Sequence, residues 1–498
     1  MNSIELLFSL IASMTKSEKR YFRMTTDLQG GKKNYLLLFD LLESHKTFDE
    51  ALKKQVSKSF PGLSIEPTRK HLYRVLIKSL RQYENENTVD SRLLNLIEDS
   101  RILYNKGILS LSLEQLAKAK ELALRHEKYL HYIIAARQEM HYLMRSQFVG
   151  ITEIELVEKQ QKIKEFLEHE ATASQHGALY EVLLFRYWKK GVSRNEKDVL
   201  KLNDLLLEEY QIINTQRLKS FESQKLHLYF QSIYFMMSNN HESSLQVFRD
   251  LDELYLSNEH LWKENPAQYV QLIDGILYDL RLMKRYEEME FYFHRLKGIK
   301  SESEGLTVVL RYNILDHQLQ ALCDQKRTKE ALSLIEESQP SLSKEITQLN
   351  LQTRTQLQFS IVRIFFLAKD YRKALKQIIV ILNLSEASLQ ARLYVSCRIL
   401  YLQINASLGN YDHLLYAIRS IERKLRSARK MFGAEKLVIS FLKRWINMKP
   451  VTDLKEQLEI LKGNPFENQL VKELFIEEWI EEVTKAPTHN KSYHPTNI

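Results

Sequence analysis

Glycine and proline are scarce. The 498-residue chain contains 13 glycines and 8 prolines, about 4% of its residues against an average near 12%. Glycine alone takes a positive φ without steric cost, so phosphate-binding loops, tight hairpins and nucleophile elbows depend on it. A large α/β enzyme or a β-sandwich is hard to assemble from so few turn residues. Long apolar runs are missing as well. Stretches such as Ile378 to Leu382 fall far short of the roughly 18 residues that a membrane-spanning helix requires. Cysteine is nearly absent: Cys323 and Cys397 stand 74 residues apart, with neither a metal-ligand nor a redox spacing. They read as two buried thiols in a reducing compartment. The apolar run from Ile4 to Met14 carries Glu5 and no basic flank. It reads as an amphipathic first helix rather than a signal peptide, and cytoplasmic residence is the expectation.

Motifs of catalysis are also missing. There is no glycine-rich phosphate loop, no Gly-x-Ser-x-Gly and no His-Glu-x-x-His. His126-Glu127 and His131 are spaced by five, which takes the two imidazoles off a common helical face. No residue is assigned a catalytic, metal-ligating or cofactor-binding role.

What is present is helix. Apolar residues recur at intervals of three and four, never at two. Capping-box patterns mark helix starts at Thr15…Glu18, Thr47…Glu50, Thr152…Glu155, Ser193…Glu196 and Ser301…Glu304. Pro266 and Pro465, each after an asparagine, mark first helical positions. About two dozen helices of roughly 10 to 25 residues follow from these marks. Gly30-Gly31, Phe60-Pro61-Gly62 and Glu66-Pro67 break the first 90 residues into a small helical unit. Residues 91–449 read as a helical-repeat region, 450–485 as capping helices and 486–498 as a disordered tail.

A repeat is visible in the second half. Its turns align at His241, Tyr286, Thr328, Tyr371 and Tyr411, separated by 45, 42, 43 and 40 residues. Seven residues beyond each stand Phe248, Phe293, Ile335, Ile378 and Ile418. Together with the positions at +4 and +10 they predict one apolar stripe on the second helix of each pair. A residue six before each turn gives the first helix its matching contact. One such pair cannot bury its apolar face alone, so neighbours must stack.

Asp370-Tyr371-Arg372-Lys373-Ala374-Leu375, Gly409-Asn410-Tyr411-Asp412 and Lys329-Glu330-Ala331-Leu332 resemble the turn and second-helix start of tetratricopeptide repeats. The period is longer than the family's 34 residues, and Leu277, Leu319, Val362 and Leu402 replace the small residue of the first helix. The resemblance covers roughly residues 220–430. It implies an all-α fold, a right-handed superhelix of helix pairs 40–45 residues long, following the small N-terminal unit. It also implies a binding scaffold rather than a chemistry. On that geometry Asp274, Tyr278, Arg281, Asn313, Asp316, Gln320, Arg363 and Gln403 line a concave, mixed-charge groove suited to an extended peptide.

The net charge of +9 is unevenly placed. Residues 341–449 carry +13, between a −6 stretch at 241–340 and a −4 stretch at 450–498. Within the basic block Arg419, Arg423, Arg426 and Lys430 follow one helical face. Such a stripe suits an anionic partner (nucleic acid, an acidic peptide or the chain's own acidic segment) or a solvated face. A second stripe, Lys70, Arg74, Lys78 and Arg81, lies on the N-terminal unit and suits a DNA groove or, again, solvent. From Phe466 a helix with Val471, Phe475, Trp479 and Val483 on one side and Glu473, Glu477, Glu478, Glu481 and Glu482 on another reads as a cap that offsets the basic block. The function expected is a non-catalytic scaffold or adaptor for a protein or peptide, without cofactor or metal. A nucleic-acid-associated regulator is the alternative.

Overall fold

The computed structural model describes the chain except residues 1–2, 28–33, 46, 61–64, 85–87, 216–219, 264, 301–303, 347, 428–430 and 486–498. The Gly30-Gly31 and Pro61-Gly62 breaks, the cap at Ser301, Lys430 and the C-terminal tail therefore lie outside the described residues. Everything regular within them is helix, with no strand. In chain order the helices begin with α1 (Ser3–Ser13), α2 (Lys16–Asp27), α3 (Asn34–Glu43), α4 (Glu50–Ser59), α5 (Ile65–Glu84), α6 (Val89–Asn105), α7 (Leu109–Arg125), α8 (Tyr129–Arg145) and α9 (Glu153–Lys190). Next come α10 (Glu196–Leu200), α11 (Asn203–Thr215), α12 (Phe221–Met237), α13 (His241–Ser257), α14 (Glu259–Trp262), α15 (Ala267–Leu282), α16 (Tyr286–Gly298), α17 (Glu304–Asp324) and α18 (Thr328–Glu345). The series closes with α19 (Leu351–Leu367), α20 (Tyr371–Leu382), α21 (Ala391–Ser407), α22 (Tyr411–Ser427), α23 (Gly433–Ile446), α24 (Thr452–Gly463), α25 (Pro465–Glu473) and α26 (Ile476–Lys485). None is long and apolar enough to cross a membrane.

Capping boxes form at Thr15/Glu18 and Thr152/Glu155, with backbone and side chain bonded reciprocally. Two expected boxes are replaced by stronger local caps. Asp49 caps α4 through the Leu52 N–H, displacing Thr47, and Asn195 caps α10 through the Asp198 N–H, displacing Ser193. Pro465 begins α25 behind an Asn464 cap, whereas Pro266 is itself the cap of α15.

The chain divides into two compact units. The first comprises Met1–Ala171 with His260–Glu264 and Ser301–Gly305, the second the remainder. In the first unit the buried apolar side chains form two cores. One joins α1 to α5 around Phe22, Leu38, Phe39 and Leu72. The other joins α6 to α9 around Leu93, Leu116, Ala135 and Phe166.

In the second unit α12 packs on α13, α13 on α15, α15 on α16, α19 on α20, α20 on α21 and α21 on α22. The +7 residues Phe248, Phe293, Ile335, Ile378 and Ile418 are all buried, as are Leu277, Leu319, Val362 and Leu402 of the first helices. Each such side chain contributes about 1.5–3 kcal/mol through removal from water. The fully buried companion of the +7 stripe lies at +3 (Ser244, Met289, Ala331, Ala374 and Leu414) rather than at +4, where Glu290 is exposed. Gly275 on α15 is required by this packing, because a Cβ there would meet the Phe248 ring at 2.4 Å.

All five aligned turns share one backbone. The residue two before each aligned position is left-handed: Asn239, Lys284, Lys326, Lys369 and Gly409, with φ between 58° and 73°. The next N–H reaches back to the carbonyls of Phe235, Leu280, Leu322, Phe365 and Asn405, which closes a Schellman motif on each first helix. The residues six before each aligned position are thus the acceptors of these bonds. A non-glycine residue in this conformation costs about 1–2 kcal/mol; the packed helix pairs on either side hold it there. Lys284 is exposed, so Lys284→Gly should stabilise by about 1 kcal/mol, less than the full strain because glycine also loosens the unfolded chain. A higher midpoint in thermal unfolding checks this; a lower one shows that the turn is unstrained.

Candidate functional site

Seven of the eight groove residues come together. Asp274, Tyr278 and Arg281 of α15, Asn313, Asp316 and Gln320 of α17, and Arg363 of α19 line one cavity of about 320 Å³ in the second unit. The α17 residues share a face because they recur at three and four, and His317, four beyond Asn313, belongs to the same face. Asp274 Oδ1 accepts from Asn313 Nδ2 at 3.0 Å and shares a hydrogen with His317 Nε2 at 2.7 Å. Gln320 Nε2 donates to Asp316 Oδ2 at 2.7 Å. Several polar atoms on this wall are buried and without a hydrogen-bond partner among the described residues: Asn313 Oδ1, Asp316 Oδ1, His317 Nδ1 and Arg281 Nε. Three of the four are acceptors, or can be, and native proteins rarely leave such groups unsatisfied without a reason.

Glu473 of the chain's own C-terminal segment also lines the cavity. The sequence predicts one helix from Phe466; the structure breaks it into α25 and α26 at Leu474-Phe475, where Phe475 is left-handed with φ 51°. The break frees carbonyls that a continuous helix would use itself. Arg363 Nε donates to the Glu473 carbonyl at 2.9 Å, and Gln403 Nε2 of α21 donates to the Leu474 carbonyl at 3.0 Å. The Arg363 guanidinium also lies 5.3 Å from the centre of the Phe475 ring. Gln403 is thus fully buried beneath the segment rather than open to a ligand.

Charge links these groups into a ladder. Asp324 accepts from Arg281 at 2.5 Å and from Arg363 at 3.1 Å. Arg392 pairs with Glu473 and donates to Gln469 Oε1 at 2.9 Å; Gln469 donates in turn to the Tyr278 hydroxyl at 3.2 Å. Burial alone would raise the Asp324 and Glu473 carboxyls, but the neighbouring guanidinium charges outweigh it and hold both below the usual carboxylate range. Burial likewise opposes ionisation of Asp274, where His317 and Asn313 prevail and lower it. At Asp316 burial outweighs the lowering by His317 and by hydrogen bonding, and pushes the carboxyl up.

Comparison with protein-family models, with curated proteins and with solved structures finds no match to this chain. The cavity is therefore read from its own chemistry. Both cysteines are buried and unpaired, and burial pushes the Cys323 thiol up to about 11, far from the reactive thiolate range.

Neither basic stripe contributes a residue to the cavity lining. Arg419 and Arg423 are exposed on α22 and make no ion pair with a described residue, while Arg426 pairs with Glu422 at 2.7 Å. Lys70, Arg74, Lys78 and Arg81 are exposed on α5, with Lys70 3.9 Å from Glu66. The acidic face of the C-terminal segment meets other cations: Glu478 pairs with Lys326 at 2.7 Å, Glu482 with Lys369 at 2.8 Å and Glu477 with Lys462 at 2.7 Å.

The ladder fixes a pH dependence. Asp324 and Glu473 have folded-state pKa values below their unfolded ones. The stability they contribute is present at neutral pH and is lost as pH falls below about 4, as the groups take up protons. Arg363→Met removes one of the two guanidinium groups on Asp324 and leaves Arg281 as its partner, with an expected loss of about 1.5–3 kcal/mol for the charged hydrogen bond. Thermal unfolding from pH 7 to pH 3 should show a large deficit in the variant at pH 7 that narrows toward pH 3. A deficit independent of pH would assign the loss to packing alone.

Proposed function

We propose that the second unit is a non-catalytic scaffold that holds a protein or peptide segment along the cavity wall, and that its helix pairs form a tetratricopeptide-like right-handed superhelix. The observation that carries this reading is the way the wall treats its own chain. Arg363 and Gln403 grip the Glu473 and Leu474 carbonyls, so the inner helices already recognise polypeptide backbone through side-chain hydrogen bonds. The stretch of wall next to them offers acceptors at Asn313, Asp316 and His317. A peptide supplies the complementary N–H donors, and the mixed charges around the cavity suit amide contacts more than a phosphate backbone.

A second reading, a nucleic-acid-associated regulator, rests on Arg419 and Arg423, which stand exposed and without ion pairs to described residues. The two readings separate in one experiment. The full-length protein and an Asn313→Ala/Asp316→Ala variant are used to recover partners from native lysate at low and high salt, with half of each sample nuclease-treated. The scaffold reading expects a protein that survives nuclease and high salt and is lost with the double variant. A partner lost on nuclease treatment, falling steeply with salt as phosphate contacts do, and unaffected by the double variant, overturns it.

A further inference from the structure

Three residues of the second unit, far apart in sequence, part of no spacing motif and not in the cavity lining, converge. His176 lies on α9, Glu209 on α11 and His227 on α12. One ligand atom from each lies within 4.8 Å of the other two. His176 and Glu209 are buried, at 0% and 1% exposure. Glu209 Oε1 and His227 Nδ1 share a hydrogen at 2.8 Å. The two imidazoles meet edge to face with ring centroids 5.6 Å apart.

His176 is the unexplained member. Neither of its ring nitrogens has a hydrogen-bond partner among the described residues, and His176 is 0% exposed. An imidazole carries one donor and one acceptor, and leaving both unmade in the interior costs about 1–3 kcal/mol for each group. A phenylalanine would fill the same space without that loss.

We infer that His176, Glu209 and His227 form a binding site for a divalent transition-metal ion of the zinc class. Two imidazoles and one carboxylate are a recurring three-residue ligand set for such ions, with the fourth position left to solvent or a small ligand. Around zinc, bonds of about 2.0–2.2 Å place ligand atoms roughly 3.3 Å apart, so the spread in this cluster closes with side-chain shifts of an ångström or so. Calcium and magnesium are disfavoured, because they take oxygen ligands. The ion would join α9, α11 and α12 at one point.

The test uses the full-length chain stripped with chelator, then titrated with zinc and separately with cobalt. His176→Phe removes one ligand at nearly constant shape; Glu209→Gln keeps the His227 hydrogen bond but weakens the donor. The chain has 15 histidines, so total zinc content is not the readout. The readout is the difference between wild type and variant. Wild type should hold one more equivalent of zinc than His176→Phe, unfold at a higher temperature with zinc than without, and give cobalt ligand-field bands that His176→Phe lacks. Glu209→Gln should bind at least about tenfold more weakly. Without metal, His176→Phe should be as stable as wild type or more so. Equal zinc binding and equal cobalt spectra in wild type and both variants, or no zinc-dependent rise in the wild-type midpoint, would overturn the assignment. If His176→Phe does not fold, Glu209→Gln carries the comparison by the same readouts.

Discussion

A guanidinium cannot be made neutral in a protein interior, so one that is buried must be surrounded by acceptors. Arg363 is 3% exposed, and much of the second unit is arranged around that requirement. Asp324 supplies a carboxylate from the turn end of α17. The broken C-terminal helix supplies a main-chain carbonyl, and Phe475 supplies a ring face. Each partner comes from a different element. The arginine therefore fixes the relation of α17, α19 and the C-terminal segment more strictly than apolar packing could, since apolar contacts tolerate sliding and hydrogen bonds do not.

The same requirement explains why the final helices belong to the core. Val471, Leu474, Phe475, Ile476 and Trp479 are buried in the cluster that contains Ile335, Ile378 and Ile418 of the repeat stripe, and the Trp479 indole donates to Ser407 Oγ at 3.1 Å. The acidic face of this segment answers cations at Lys326 and Lys369, in the turns after α17 and α19, and at Arg392 on α21. It leaves Arg419 and Arg423 on α22 alone. The basic block seen in the sequence thus has two parts of different character, one internally neutralised and one facing solvent.

Helix class, the five aligned turns and the buried +7 stripe were legible because each follows from local periodicity and needs no knowledge of distant residues. Seven of the eight wall residues converge for the same reason: equivalent positions on stacked helices share a face. Gln403 also lies on that face, but the segment that covers it comes from 71 residues away. No local signal announces the break at Leu474-Phe475, which contains neither glycine nor proline. His317 carried a signal that could have been read, four residues beyond Asn313. The His176, Glu209 and His227 cluster carried none, because separations of 33 and 18 residues correspond to no ligand motif and arise only from the way three helices cross.

The scarcity of glycine has a consequence at the repeat turns. A glycine at a left-handed position contributes backbone freedom and nothing else; a lysine there contributes an ammonium group on a long arm. Lys326 and Lys369 are such residues in successive turns, and they hold Glu478 and Glu482, which lie one helical turn apart on α26. Four residues of helix advance about 6 Å. The acidic helix therefore works as a ruler laid across two neighbouring turns, its graduations set by the α-helical rise. The distance between those turns is matched against a fixed length elsewhere in the same chain.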